Sequence, residues 1–139
     1  MAVGRGLVDW RAVGAGAAAA AGLVLPAALI GNLLSDQPEG EDPSNIVFLF
    51  FALVLVGFVV GGYAAARRSP DAPYTNAALA AVGAFVPLQV LSLIVQQIGG
   101  DAEWGELETY VQLVFNASAA YGSGLLGGLV ASRRRVSQP

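Results

Sequence analysis

Ile46–Arg68 reads IVFLFFALVLVGFVVGGYAAARR, twenty-one residues without Asp, Glu, Lys or Arg, closed by two arginines. A helix rises about 1.5 Å per residue, so about 20 apolar residues cross the hydrocarbon core of a bilayer. Lipid offers no partner to backbone N–H and C=O groups, so such a run must pair its backbone internally, as a helix. Three further runs have the same character, and each is again free of those four residue types. The four predicted transmembrane helices cover 12–34, 46–66, 77–98 and 109–132. The fold class is therefore all-α.

Composition agrees. Of 139 residues, 55% are hydrophobic and 12% charged, whereas about a quarter of a soluble chain is charged. Residues 1–139 form a single integral membrane domain by length. All seven basic residues are arginine, and with the Ala and Gly richness this points to a bacterial genome of high GC content. The absence of Cys removes disulfides and thiolate metal sites, and the absence of His removes the commonest general base. The first run follows Arg5 and Arg11, as a signal peptide would, but it is too long and no small-x-small cleavage site follows Leu34. The stretch VGRGLVDWR places Val3, Leu7 and Trp10 at helical spacing and reads either as a short interfacial helix or as a frayed terminus.

Charge gives the orientation. With four crossings, the segments holding Arg5 and Arg11, Arg67 and Arg68, and Arg133, Arg134 and Arg135 share one side of the membrane. That side also carries Asp9 and Asp71, for a net +5, while the other eight acids occupy the two outer loops. The positive-inside rule places both termini in the cytoplasm, with a bacterial inner membrane as the setting. Trp10, Tyr63 and Tyr74 at the inner boundary, and Trp104 and Tyr110 at the outer one, suit the half-wet interface.

The ending GGYAAARR at Gly61 returns as GGLVASRR at Gly127; both are Gly-Gly-x-x-Ala-x-Arg-Arg. A second match pairs Gly22-x-x-x-Pro26 with Gly83-x-x-x-Pro87. The chain therefore reads as two tandem, like-oriented helical hairpins, 1–70 and 71–139, related by an axis along the membrane normal. Proline leaves the carbonyl four residues earlier without its helical partner, and glycine there eases a bend. Gly22, Pro26, Gly83 and Pro87 are thus candidate kinks, read either as static shape or as a hinge and midplane binding point.

Gly57-x-x-x-Gly61 and Gly124-x-x-x-Gly128 let helix backbones approach closely, within one chain or between two. Gln89, Ser92 and Gln96 share one face of the third run, and Gln112, Asn116 and Ser123 share one face of the fourth. Counted from the outer ends, Gln96 comes level with Gln112 and Ser92 with Asn116, so the two stripes are candidates to hydrogen-bond across the hairpin. Their alternative is a polar lining for a small neutral solute. Asn116-Ala117-Ser118 matches the glycosylation pattern but lies within a span. No charged residue falls inside any run, which speaks against proton-coupled transport.

The segment GGYAAARRSPDAPYTNAALAAVGAF, within residues 57–85, resembles the central segment of small four-helix bacterial integral membrane proteins of uncharacterised function. In that resemblance His or Gly opens the next helix, where this chain has Asn76 and Ala77. The resemblance implies the four-helix fold and no activity. No cofactor or nucleic-acid partner is expected. The expectation is a non-enzymatic packing or accessory subunit, in a homo-oligomer or beside another membrane protein, with membrane lipid as its surroundings. The alternative is a passive channel or carrier for a small neutral solute. Arg67, Arg68, Arg133, Arg134 and Arg135 are expected to anchor the inner face, Arg67 and Arg68 against anionic lipid head groups.

Overall fold

The computed structural model describes residues 8–34, 45–99 and 107–136. Arg5, the acidic segments 35–44 and 100–106, and the side chains of Gln96, Glu108 and Arg135 lie outside the described residues. Four helices account for nearly all of the rest: α1 Trp10–Leu34, α2 Asn45–Arg68, α3 Pro73–Gly99 and α4 Leu107–Val136. All four are long and apolar enough to cross a membrane. The chain is a multi-pass membrane protein of the all-α class.

The helices run further than the uncharged runs at their arginine ends. α2 takes Arg67 and Arg68 into its last turn, where a guanidinium on a flexible stem reaches the interface without ending the helix. α3 begins at Pro73, four residues before the apolar run. Proline suits a first turn, because its missing N–H has no helical partner there and its φ is already helical. Both α1 and α3 continue through their internal prolines, Pro26 and Pro87.

α2 and α3 touch each other and both of the remaining helices, while α1 and α4 do not touch. The order around the bundle is therefore α1, α2, α4, α3, with α2 and α3 across the short diagonal. A twofold axis along the membrane normal would pair α4 with α1 wherever it pairs α2 with α3. The contact pattern is thus not that of a closed twofold. α1 runs parallel to α3, since Asp9 pairs with Asn76 and Gly16 with Ala80, and α2 runs parallel to α4, since Gly62 pairs with Gly124 and Tyr63 with Arg134.

The core lies toward the arginine end. Ala20, Val24, Phe58, Ala81, Ala84 and Ala120 form one buried cluster, and Ala66, Ala77 and Ala131 form another. Phe58 and Phe85 meet edge to face, with ring centroids 6.4 Å apart. Toward the opposite end, no described residue is buried in Phe48–Val56, Phe85–Ile98 or Leu107–Ala119. Phe48 is 61% exposed and Phe115 64%. Apolar side chains so exposed over four helices are the surface of a protein bathed in lipid; in water they would aggregate.

Candidate functional site

Two constructions hold the arginine half of the bundle together, and both arise from residue types that alone form no recognised motif. The first is a polar node. Asp9 stands immediately before α1 and caps it: the backbone N–H groups of Arg11 and Ala12 donate to its Oδ1 at 3.0 and 3.1 Å. Aspartate serves here because its carboxylate accepts from N–H groups that have no partner within the helix. The N–H of Asp9 in turn donates to Oδ1 of Asn76 at 2.8 Å. Nδ2 of Asn76 donates to Oγ of Ser69 at 2.8 Å and to the carbonyl of Ala72 at 2.9 Å. One carboxamide, 0% exposed, thereby joins the start of α1, the residue after α2 and the first turn of α3. Asn76 and Ser69 had no assigned role in the sequence reading. The legible signals were Asp9 as a cap before Trp10 and an asparagine one turn into a helix that opens with proline.

The second construction is a set of glycine seams. A Cβ on Gly57 would lie 2.6 Å from Cγ2 of Val24, and one on Gly61 2.6 Å from Cβ of Ala20. Both glycines thus lie against α1. A Cβ on Gly124 would lie 2.7 Å from the Ala77 carbonyl, and one on Gly128 3.0 Å from Cβ of Ala77, so these two lie against α3. The tightest seam joins α2 and α4. There Gly62 meets the Gly124 carbonyl, and Gly127 meets the Val59 carbonyl and the Tyr63 nitrogen. The repeated phrase therefore meets itself. Its two copies end adjacent parallel helices, and each supplies backbone without side chain at their crossing.

The kink residues point elsewhere. Gly22, Pro26, Gly83 and Pro87 are all exposed, with open space around a Cβ on Gly22 and only Ala17, 3.8 Å away, near one on Gly83. The Asn116 face of α4 is turned away from α3. On α4, Gly124 and Gly128 are among the positions that touch α3. At about 100° per residue, Asn116 lies roughly 120° around the helix from Gly128 and close to Gly127, on the α2 side. Gln89 and Asn116 are half-buried, Ser92 and Gln112 exposed, and Ser123 buried. No hydrogen bond joins the Gln89, Gln112 or Asn116 side chains to a partner among the described residues. Ser118 donates to its own helix, to the Val114 carbonyl at 2.7 Å. A shallow, largely apolar groove between α3 and α4 is lined by Val82, Val114, Ala117, Ser118 and Tyr121.

At the arginine end, the Arg67 and Arg134 guanidinium carbons lie 5.8 and 5.9 Å from the ring centroid of Tyr63. Arg68 Nη1 donates to the Ala64 carbonyl at 3.3 Å. Among the described residues no three His, Cys, Asp or Glu side chains gather as a metal-holding group. Comparison with protein-family models, curated proteins and solved structures finds no match to the chain.

Proposed function

We propose that this chain is a non-enzymatic subunit of the bacterial inner membrane that packs beside a second membrane partner, a copy of itself first of all. The observation that carries this reading is the exposed carboxamide of Gln112, with half-buried Asn116 one turn further on, in an outer half whose helices bury none of these residues. An amide that loses water without a partner costs about 1–3 kcal/mol by protein mutational measures. An amide is both donor and acceptor, so the same stripe on a second copy satisfies it, at about 0.6–2 kcal/mol for each hydrogen bond between helices. The resemblance over residues 57–85 is to proteins of the same small four-helix type. A conduit for a neutral solute has less support, since the Asn116 face of α4 is turned from α3 toward α2.

The chain has no cysteine, so single cysteines report cleanly. Gln112→Cys is expected to give a disulfide-linked dimer in native membranes, and Leu23→Cys, on the exposed flank of α1, is expected to give none. Equal dimer yields from both would remove the α4 stripe as an interface. A monomer from both would leave only a different protein as the partner.

Orientation follows from the arginines. Arg11, Arg67, Arg68, Arg133 and Arg134 all gather at the end of the bundle where α1 and α3 begin and α2 and α4 stop. With that end inside, Ser137→Cys is expected to resist a membrane-impermeant maleimide on intact cells and to react after permeabilisation. Labelling of intact cells would reverse the topology.

A further inference from the structure

We infer that the arginines closing α2 and α4 form one site for the phosphate of an anionic phospholipid headgroup, organised by Tyr63. Arg67 and Arg134 are far apart in sequence but adjacent in space, because α2 and α4 run parallel and cross at Gly62, Gly124 and Gly127. Tyr63 sits half-buried beside both, packed on Ala66, Ala77 and Ala131. Two guanidiniums at 5.8 and 5.9 Å from one ring hold like charges together. The ring's electron-rich face attracts each cation. Arg68 and Arg133 are exposed at the same helix ends, and Asp71 in the following turn is the acid nearest in sequence to the α2 pair. Among the described residues the four arginines of the two helix ends keep a positive excess even with Asp71 and Asp9 counted.

The fork of a guanidinium matches two oxygens of a phosphate, and basic pockets between helices on the cytoplasmic side suit anionic head groups. The surroundings favour a lipid over free phosphate. Val56, Val60, Tyr63 and Arg67 follow i, i+4, i+7, i+11, one face of α2. Leu126, Val130 and Arg134 follow i, i+4, i+8 on α4. Val56 and Val60 are 53% and 38% exposed, and Leu126 and Val130 57% and 43%. An exposed apolar stripe thus leads from each arginine into the bilayer, where an acyl chain would lie beneath its headgroup.

The test uses the full chain in a sugar-headed detergent, titrated with dioctanoyl phosphatidylglycerol, dioctanoyl phosphatidylcholine or inorganic phosphate, with bound lipid counted by native mass spectrometry and melting followed by circular dichroism. The glycerol lipid is expected to bind and raise the melting temperature. Affinity is expected to fall roughly fivefold in Arg67→Gln or Arg134→Gln and about 30-fold in the double variant, on a scale of about 1 kcal/mol per arginine. These side chains are exposed, and the unliganded melting temperature of each variant checks that it is folded. Arg11→Gln, on a helix that does not touch α4, is expected to leave affinity unchanged. Equal binding of the choline lipid, or an equal loss in Arg11→Gln, would overturn the site in favour of diffuse attraction. An equal shift with inorganic phosphate would overturn the lipid assignment.

Discussion

Asn76→Ala is expected to lower the stability of the detergent-solubilised protein by about 2–4 kcal/mol, read as a fall in unfolding midpoint. Asn76 is fully buried, and its side chain hydrogen-bonds with Asp9, Ser69 and Ala72. Each contributes about 1 kcal/mol net, and a buried donor left without a partner costs about 1–3 kcal/mol more. Truncation leaves the Asp9 N–H without its acceptor and the Ser69 hydroxyl without its donor. Asn76→Asp separates hydrogen bonding from volume. An ionised aspartate keeps the shape and can still accept from Asp9, but it donates nothing and turns a lone pair toward the Ala72 carbonyl. It is expected to lose at least as much stability as alanine. A near-neutral Asn76→Asp would mean that this position needs size alone, and the node would not be what joins α1, α2 and α3. Asp9→Ala is expected to be milder, about 1 kcal/mol, because it removes a cap and leaves the Asp9 N–H to Asn76 bond intact.

Gly127→Ala is expected to open the crossing of α2 and α4, at about 1–3 kcal/mol for overpacking, and Gly127→Leu to prevent folding. The added methyl would overlap the Val59 carbonyl and come within 2.6 Å of the Tyr63 nitrogen. Both are backbone atoms of a packed helix, so no rotamer change relieves the clash and the helices must separate. Gly122, on the same helix, has nothing within 4 Å of a Cβ. Gly122→Ala is expected to be neutral or stabilising by up to about 1 kcal/mol, since alanine is the better helix former. Thermal unfolding of the pair in one detergent decides the matter: equal melting temperatures for Gly127→Ala and Gly122→Ala would mean that α2 and α4 do not meet at this seam. Opening the seam also separates Arg134 from Tyr63, so Gly127→Ala is expected to weaken phosphatidylglycerol binding with every arginine in place.

The two predictions rest on features that differ in how visible they were. The Gly-Gly repeats and the Gly-x-x-x-Gly spacings could be read directly, as could the need of close-packed helices for small residues. Which helix each glycine would meet could not. Gly57 and Gly61 lie against α1, and Gly124 and Gly128 against α3, whereas the closest approach uses Gly62 and Gly127, which complete no Gly-x-x-x-Gly pair with each other. Asn76 stood in the sequence only as a departure from a resemblance. Its place at the junction of three helices depends on Asp9 and Ser69, which come near it only when α1 and α3 lie parallel and α2 turns back into α3.

Crossing number, helix limits to within a few residues and the placing of the arginines at one end were determined by the sequence itself, because these are local properties. Burying charge in hydrocarbon is costly wherever it occurs, and a run's length against the bilayer needs no neighbour to be judged. The order of helices around the bundle, the facing of the Gln and Asn residues and the meeting of two arginines over Tyr63 were decided by tertiary structure alone. The physical reason is that helices in lipid are apolar on every side. No hydrophobic stripe marks the inward face, and rotation is settled by where small residues let backbones touch.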